Sequence, residues 1–488
     1  MADNIDHLLE INPKHRPELD PEFLPAFLWN QAYQAKAESH PQSFPIAVAL
    51  QRIADGTCCI YNTKVLPHEG EYIALNEKYI ERLVKFLLWQ RRGRKIIIGG
   101  YQPMVEMIRS LYSPIGKRHK DYELIGEKVY DGELQVEGCS LDDLPADSVS
   151  SFPLGRHLDG CRIGFDLGGS DRKAAAVIDG EAIFSEEISW DPRMQIDPAY
   201  HQEGIRDSLR RAAEHLPKDA NGRPRIDAIG GSAAGIYIDK EVKIASLFRS
   251  VRQEAFDAKV RRIFFDVIEN EWGNVPFEVV NDGEVTALAG SMSLNDNAVL
   301  GVAMGTSLAA GYVNATGHIT PWLNELAFAP IDYREKAPVD EWSGDRGCGV
   351  DYLSQQGVGR LTKPAGFDFD ADSLNSKNSE KLAQVLEEVQ SHLSKGDQRA
   401  RKIYESLGVY FGYSIAHYAQ FYDIHNLLVL GRVTSGEGGA IIINKAQQVL
   451  RDECSELCDQ IKITTPDEKD KRHGQAIAAA SLPELSKK

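Results

Sequence analysis

The sequence predicts an α/β protein in which one sheet-building unit occurs twice. The first copy runs through Phe165-Asp166-Leu167-Gly168-Gly169-Ser170-Asp171-Arg172-Lys173 and the second through Val302-Ala303-Met304-Gly305-Thr306-Ser307-Leu308-Ala309. In each copy a glycine and a hydroxyl residue join two short apolar runs. The second run then ends at a polar residue followed by glycine, Asp179-Gly180 or Thr316-Gly317. This pattern predicts a strand, a tight turn, a strand, a hairpin turn and a third strand in both copies.

Size and composition narrow the class of protein. A chain of 488 residues exceeds one ordinary core, so we expect two or three domains. A hydrophobic fraction of 42% and a charged fraction of 26% are typical of soluble globular proteins, and no apolar run reaches the length of a membrane span. The acidic start, Met1-Ala2-Asp3-Asn4-Ile5-Asp6, lacks the layout of a secretory signal, so we expect a cytoplasmic protein.

The net charge and the cysteine spacing argue against a nonspecific nucleic-acid-binding protein and against a disulfide-bonded one. A net charge of −17 argues against nonspecific nucleic-acid binding. Seven cysteines are an odd number without a framework spacing, so we expect reduced thiols. Cys454 and Cys458, four residues apart on a predicted helix, are best interpreted as packing residues because no nearby His or Cys completes a metal site.

The first 155 residues are predicted to form an N-terminal α/β accessory domain of unidentified role. Ile46–Leu50 and Cys58–Val65 read as strands paired across Asp55-Gly56. An amphipathic helix is expected from about Asn76, then a buried strand over residues 95–100 and a helix after residue 103. A lid, a dimer surface or a partner-docking domain would each fit.

Two basic clusters occur in this region, Arg91-Arg92-Gly93-Arg94-Lys95 and Lys117-Arg118-His119-Lys120. They could bind an anionic partner, or they could be a helix C-terminus stabilised by cations and a solvated loop. We favour the second interpretation because the chain as a whole is acidic.

A boundary is predicted near residues 148–158, where Ser, Pro and Gly accumulate, and strands then alternate with helices. Strands are expected near residues 161–166, 172–178, 182–187, 227–231 and 277–281, with helices over 202–215 and 258–271. An Ala-rich helix follows residue 281, and the second unit occupies 298–320. Helices continue through Tyr422, a buried strand covers 427–430, and helices extend to Leu482.

The first glycine turn has the features of a phosphate-binding site. Backbone at Gly168 and Gly169 can approach a phosphate closely because glycine lacks a Cβ and tolerates positive φ. Asp166, at the end of the preceding strand, can hold a hydrated Mg²⁺ beside those phosphates. The alternative is an Asp that caps a hairpin turn.

Asn281-Asp282 lies where a strand stops and a helix begins. Such a position directs side chains into the cleft beyond the carboxyl edge of a sheet. Asp282 could accept the proton of a substrate hydroxyl that attacks a γ-phosphate. A plain helix N-cap is the alternative for this pair.

Two later segments complete a candidate nucleotide site. The amides and hydroxyls of Gly305-Thr306-Ser307 suit β- and γ-phosphates, although a simple hairpin bend would look the same. Residues 427–436 form a buried strand that opens into a glycine-flanked loop, which could lie under an adenine ring or be an ordinary β-to-α connection. The order of these motifs is more specific than any one of them.

From about Cys161 to Leu482 the chain resembles the repressor, open-reading-frame and kinase (ROK) family of sugar kinases, in the actin-like ATPase superfamily. Asp166 to Ser170 is similar to its first phosphate motif, Gly305-Thr306 to the second, and Leu430-Gly431-Arg432-Val433 to the adenosine motif. Ile229-Gly230-Gly231-Ser232-Ala233-Ala234-Gly235 resembles its β-turn segment without the usual proline.

The resemblance implies a duplicated actin-like ATPase (ribonuclease H-like) fold with an additional N-terminal α/β domain. The first lobe would cover residues 156–291 and be joined by a helix near 470–485, and the second lobe would cover 292–469. It also implies a homodimer and two cofactors, ATP and Mg²⁺, the metal bound to Asp166 through water. Asp282 would be the catalytic base and Asn281 a substrate contact. The implied nucleotide-binding set is Asp166, Gly168, Gly169, Ser170, Lys173, Gly305, Thr306, Ser307, Gly431 and Arg432.

The chain departs from the family pattern after the second unit. Family members usually carry Glu-x-Gly-His and a Cys-rich zinc loop, whereas this chain has Asn324-Glu325-Leu326-Ala327-Phe328, with Phe328 at the histidine position. Zinc needs about four N or S ligands and the later loop retains Cys348 alone, so we predict no structural zinc. Glu325 is expected to bind a substrate hydroxyl, and Asp351 to substitute for a missing acidic contact.

Two functional hypotheses follow. The first is an ATP-dependent phosphotransferase, a sugar kinase acting on a hydroxyl of a sugar or sugar-like polyol, with no nucleic-acid or membrane partner. The second is a catalytically silent sugar-binding sensor on the same fold. An ATPase that activates another enzyme is less favoured because the chain shows no cysteine grouping for a metal cluster. The motifs do not identify the sugar.

Overall fold

The computed structural model describes residues 5–148, 154–465 and 468–485. Three sheets of four or five strands and one two-stranded hairpin organise this part of the chain. The boundary predicted near 148–158 falls partly on residues 149–153, which lie outside the described residues. None of the described helices combines the length and apolar character needed to cross a bilayer.

The N-terminal region contains a mixed sheet in the order β2-β1-β3-β4. β1 pairs antiparallel with β2 and β3, and β4 runs parallel to β3. The predicted strand pair across Asp55-Gly56 is confirmed, with Gln51 opposite Cys58. The strands are β1 Phe44–Gln51, β2 Cys58–Val65, β3 Lys95–Gly99 and β4 Gln135–Cys139, and the helices are α1 Ala26–Ser39, α2 Tyr72–Gln90 and α3 Gln102–Leu111, followed by helical turns at His119–Asp121 and Tyr122–Val129.

The first lobe is built on a five-stranded sheet in the order β7-β6-β5-β8-β11. β5, β6 and β7 form an antiparallel meander, and β8 and β11 extend it with parallel pairing. Its elements are β5 Cys161–Leu167, β6 Asp171–Ile178, β7 Glu181–Ser189, α4 Pro198–Ala213, β8 Ala228–Ala233, the hairpin of β9 Ile236–Ile238 and β10 Glu241–Ile244, α5 Ile263–Trp272, β11 Phe277–Asn281 and α6 Asp282–Leu294.

The second lobe repeats this arrangement without the third strand. Its sheet has the order β13-β12-β14-β15, with β12 antiparallel to β13 and parallel to β14. The predicted third strand is wrong, because after the Thr316-Gly317 turn Ile319 makes only isolated bridges, to Val313 and Leu154. Its elements are β12 Val299–Met304, β13 Leu308–Val313, α7 Gln355–Ala365, α8 Ser379–Ser394, α9 Gln398–Tyr418, β14 Asn426–Leu430, α10 Glu437–Glu453, α11 Ser455–Gln460 and β15 Lys462–Thr464.

The last helix, α12 Glu468–Ala480, packs on the first-lobe sheet at two glycines. A Cβ at Gly164 would lie 1.9 Å from the carbonyl oxygen of Ala476, and one at Gly230 would lie 1.8 Å from that of Ala479. Glycine is therefore required for this close packing, which fixes β5 and the Asp166 that it carries.

The three main sheets define three regions, but the hydrophobic clusters join two of these regions into one core. Most buried residues of the N-terminal region and of the second lobe form one continuous cluster, which also takes in Ile236 and Ile238 of the first lobe, whereas most of the first lobe has its own. A smaller cluster joins helix α6 of the first lobe to β12, β13 and β14. Phe86 stacks on Phe421 with ring centroids 4.0 Å apart, and Phe23 packs edge-on against Tyr410 at 4.8 Å. The N-terminal region therefore packs as an extension of the second lobe.

Candidate functional site

Asp166 lies near the end of β5, between neighbours from two adjacent strands. Ser232 of β8 donates a hydrogen bond to its Oδ1, and the Nζ of Lys173 on β6 lies 3.5 Å from its Oδ2. Both neighbours are register partners of Asp166, so the three side chains share one face of the sheet. Burial raises the pKa of Asp166, while Ser232 and Lys173 oppose that shift.

The first glycine turn is tight, but not for the reason that the sequence suggested. The Gly168 N–H donates to the carbonyl of Asp171 at 2.9 Å, and the Trp190 indole donates to the Gly168 carbonyl at 2.8 Å. Neither Gly168 nor Gly169 has a positive φ. A Cβ at Gly169 would instead lie 2.3 Å from the guanidinium of Arg193.

Arg193 is a candidate residue that sequence reasoning missed. Its guanidinium packs against the first turn, and its buried Nε has no hydrogen-bond partner within the described part of the chain. The cation therefore lies beside backbone predicted to approach a phosphate. No local motif marks it, because its position depends on the path of the chain after β7.

The second glycine turn and the adenosine motif lie together. The Gly305 N–H donates to the Ser307 carbonyl at 2.9 Å, and Thr306 and Ser307 are exposed. A Cβ at Gly305 would have that same carbonyl, 3.8 Å away, as its nearest neighbour, so the backbone is open to a ligand. Gly431, at φ +101°, lies so close to Met304 that a Cβ would be 2.2 Å from the Met304 carbonyl oxygen.

Asn281 and Asp282 divide the roles that the sequence left open for them. Asn281 is the N-cap of α6, because its Oδ1 accepts from the Gly283 N–H at 2.8 Å. Its amide donates to the carbonyl of Gly235 at 2.7 Å. Asp282 is the first helical residue, and a Cβ at Gly283 would lie 2.6 Å from the Ala310 carbonyl of β13. Asp282 therefore lies where a first-lobe helix meets the second lobe.

A series of carboxylates extends from Asp166 through Asp282. Burial, and then the charge of Asp166, raises the pKa of Asp282 to about 6. Burial, and then the charge of Asp282, raises the pKa of Glu325 to about 7. Burial raises the pKa of Glu284 to about 8, with a smaller contribution from Glu325. Asp282 thus belongs to a group of acids from both lobes, and it is ionised above about pH 6.

The C-terminal end of α2 holds the Glu325 segment. The Glu325 N–H donates to the Trp89 carbonyl at 2.9 Å, and the Asn324 N–H donates to the Gln90 carbonyl at 3.1 Å. Phe328 packs on the Trp89 ring with centroids 4.4 Å apart. At the position of the family histidine, this chain therefore has an aromatic contact with the N-terminal region.

A buried ion network holds the loop that corresponds to the family's zinc loop. Asp345 pairs with Arg118, with Arg82 at 3.1 Å and with Lys85 at 3.8 Å, and Lys85 also pairs with Asp121 at 2.6 Å. All five residues are buried. The interpretation of residues 117–120 as a solvated loop is thus wrong for Arg118. The Cys348 thiol lies beside this network, and burial raises its pKa.

Asp351 lies among charged groups of the second lobe. It ends the short turn Gly349–Asp351, and its Oδ2 is buried without a hydrogen-bond partner in the described residues. Burial and then Asp340 raise its pKa to about 7, with Arg360 opposing. The role of Asp351 as a substitute acidic contact stays a prediction.

A cavity of about 430 Å³ lies beside Asn281. Its walls come from β9 and β11 of the first lobe, from residues 320–323 and from the N-terminal region. Such a volume suits a small organic ligand. The lining includes Arg52, Arg92, Tyr237, Asn281, Glu284 and Trp322.

The strand order decides the fold. A three-strand antiparallel meander extended by parallel strands in the order 3-2-1-4-5 builds the first lobe, and the second lobe repeats it without strand 3. The chain has the duplicated actin-like ATPase fold. Both copies place a glycine turn between their first two strands, at Gly168 and at Gly305.

Comparison with solved structures finds similar chains that carry the family name suggested by the motifs. A ROK hexokinase from Thermus thermophilus is 16% identical, covering 65% of this chain and 97% of that chain, with a TM-score of 0.48. A ROK family glucokinase from Streptomyces griseus, in complex with glucose and AMPPNP, is 19% identical, covering 66% and 99%, with a TM-score of 0.45.

A ROK family transcriptional regulator, a homolog of the E. coli MLC protein, is 16% identical, covering 67% of this chain and 78% of that chain, with a TM-score of 0.47. No protein family model and no curated protein matches the chain. The fold assignment therefore rests on the strand order of the chain itself.

Proposed function

We propose that this protein transfers the γ-phosphate of ATP to a hydroxyl of a sugar or sugar-like polyol bound between the two lobes. The observation that carries the proposal is the placement of Asp282. It begins a first-lobe helix packed on β13, and burial, followed by the charge of Asp166 next to the first phosphate turn, raises its pKa to about 6. A carboxylate with such a pKa is ionised at neutral pH and suited to accept a proton.

The two glycine turns and the adenosine loop would hold ATP. Open backbone at Gly305 and the adjoining Gly431 suit the phosphates and the adenosine, and Lys173 and Arg193 bring cations to the first turn. Asp166 fits a hydrated Mg²⁺ because its carboxylate is a hard oxygen donor. When bound, the metal neutralises phosphate charge.

In the proposed reaction, Asp282 orients the substrate hydroxyl and takes its proton. The hydroxyl oxygen forms a bond to the γ-phosphorus as the bond between that phosphorus and the β,γ-bridging oxygen breaks, and ADP leaves with the electron pair. Asn281 and Glu325 would bind neighbouring hydroxyls. Closure of the lobes would exclude water and align the reacting atoms.

An ADP-release assay across a panel of hexoses, amino sugars and polyols tests the proposal. We expect substrate-dependent ADP release by the parent chain and its loss in Asp282→Asn. If every substrate fails while calorimetry shows sugar binding, the protein is a sugar-binding sensor and the kinase proposal is wrong.

A further inference from the structure

The N-terminal region supplies part of the wall of the cavity beside Asn281. Arg52 follows β1 and Arg92 follows α2, and both lie in the N-terminal region, outside the 161–482 segment that resembles the family. Tyr237 and Asn281 of the first lobe line the same cavity. A ligand that fills this cavity beside Asn281 therefore meets two arginine side chains from the N-terminal region.

The two arginines differ in how fully they are paired. Arg52 donates to Asp55 at 2.8 Å and makes two bonds of 2.8 Å to the carboxylate of Asp239. Arg92 shares that same Asp239 carboxylate, at 3.3 Å, and also contacts the Tyr130 hydroxyl. The Nε of Arg92 is buried and has no hydrogen-bond partner among the described residues.

The remaining charged groups of the cavity do not neutralise Arg92 at neutral pH. Glu284 lies close enough that the charge of Arg92 lowers its pKa, yet burial keeps that pKa at about 8. Its carboxyl is therefore mainly protonated at pH 7 and carries little charge. Glu278 is paired with Lys240 at 3.2 Å. A mostly buried guanidinium with an unused Nε donor needs an explanation, because a buried donor without a hydrogen-bond partner is costly.

We propose that this cavity binds an anionic substituent, a carboxylate or a phosphate, of the substrate, with Arg92 as its principal ligand. That the ligand is a sugar rests on the proposed function. Combined with that function, the anion site predicts that the substrate is an acidic sugar. The planar fork of an arginine matches both anions, and such charge-assisted bonds are stronger than neutral ones. Because the whole chain carries a net charge of −17, the attraction for an anion would come from the arginines of this wall and not from the protein as a whole.

Calorimetry on the full chain tests the proposal with matched probes: glucose, galactose and mannose, the corresponding hexuronates, and the corresponding hexose 1-phosphates. We expect at least one anionic probe to bind more tightly than its neutral parent, and the preferred series identifies carboxylate or phosphate. Arg92→Gln should weaken that binding about 10- to 100-fold and leave the neutral sugar unchanged. Arg94→Gln is the matched control, because Arg94 bonds to the Glu133 carbonyl and does not line the cavity.

A second variant separates a ligand role from a purely structural one. If Arg92 only links the N-terminal region to the β9–β10 turn, Asp239→Asn breaks that link and weakens binding. If Arg92 binds the anion, Asp239→Asn removes a competing carboxylate and strengthens anion binding several-fold, while Arg92→Lys retains part of the preference. Equal binding of neutral and anionic probes, no binding of any anionic probe, or an unchanged Arg92→Gln variant overturns the proposal.

The same measurements keep this inference distinct from the proposed kinase activity. Arg92-dependent anion binding without ADP release supports the anion site and contradicts the kinase. ADP release on neutral sugars that Arg92→Gln leaves unaffected supports the kinase and contradicts the anion site.

Discussion

At the scale of single residues, Asp282 is the first residue of helix α6 and is not its N-cap. Asn281 makes the shorter capping bond to the Gly283 N–H, at 2.8 Å, and the same N–H lies 3.0 Å from the Oδ1 of Asp282, whose Oδ2 stays available for another role. We expect Asp282→Asn to lower phosphoryl transfer at least ~100-fold while nucleotide affinity changes little, because the amide cannot take the proton. ADP release and nucleotide calorimetry measure the two effects. Asp296→Asn, just past the end of the same helix, is the control, and parental turnover in Asp282→Asn would remove Asp282 from the mechanism.

The raised pKa of Asp282 predicts the pH dependence of activity. Burial and Asp166 bring that pKa to about 6, so the base is protonated and inactive below it. We therefore expect kcat/KM to rise with pH through about 6 and then to level off, in a profile that reports the coupled acids of the site. Steady-state rates from pH 5 to 8 test this, and a flat profile down to pH 5 would contradict it.

The raised pKa of Glu284 predicts that the stability of the protein falls as pH rises, the opposite of the trend expected for activity. Its folded pKa of about 8 exceeds the ordinary value of 4.5, so the folded state binds more protons than the unfolded state between those values. Its contribution is fully present below about pH 4.5 and is lost as pH rises through 8. Glu284→Gln should remove this dependence and stabilise the protein at pH 9 by on the order of 3 kcal/mol relative to the parent. Urea unfolding of both proteins at pH 5 and pH 9 measures this effect. The same change in the free energy of unfolding between the two pH values in the parent and in Glu284→Gln would contradict it.

At the scale of elements, the end of α2 and the ion network beneath it position the Glu325 segment. Lys85 is buried between Asp121 and Asp345, so Lys85→Met leaves the buried carboxylate of Asp121 without a cation, whereas Asp345 keeps Arg82 and Arg118. We expect a loss of about 3–5 kcal/mol in the free energy of unfolding. Lys95→Met, which breaks the more exposed pair with Glu137, should cost below about 1 kcal/mol.

A double variant shows whether charge or packing causes that loss. Lys85→Met combined with Asp121→Leu removes one uncompensated carboxylate and should recover part of the stability, as measured by urea unfolding. A double variant less stable than Lys85→Met alone would indicate that packing dominates.

Elements whose signal is local were predictable from the sequence, and those fixed by distant contacts were not. The turns at Gly168 and Gly305 and the strand Phe277–Asn281 follow from glycine, alternation and apolar runs. The third strand of the second unit fails because Ile319 divides its bridges between Val313 and Leu154, and Pro321 then lacks an N–H for further pairing.

The missed contributions to the site come from chain segments far away in sequence. Helix α1 begins with Ala26-Phe27-Leu28-Trp29, all buried, so its first turn shows no polar face by which a helix start is recognised. Arg193, Arg92 and Trp89 reach the site only through tertiary packing. The motifs therefore predicted the turns and the strand ends that carry the candidate site residues, but not the N-terminal residues that line the cavity.

At the scale of the whole molecule, the N-terminal region and the second lobe form one body. They share a hydrophobic core, which also takes in Ile236 and Ile238 of the first lobe. The N-terminal region is further joined to the first lobe by ion pairs that include Arg52–Asp239, Lys243–Asp131 and Arg261–Asp131. Partly exposed pairs contribute little stability each, so these ion pairs can rearrange in the proposed closure of the lobes.

Native-state hydrogen exchange tests this division of the molecule. Amides of β1 and β3 should open together with those of β12 and β14 and with the same free energy, because one core stabilises both sheets. Trp89→Ala, at the shared core, should lower that common free energy by about 3–5 kcal/mol and change the exchange of β5 and β8 less. Asp131→Asn is the control, since it breaks only ion pairs to the first lobe. If β1 and β3 opened at a lower free energy than β12 and β14, the N-terminal region would be an independent domain, and its two arginines could not be a fixed wall of the cavity.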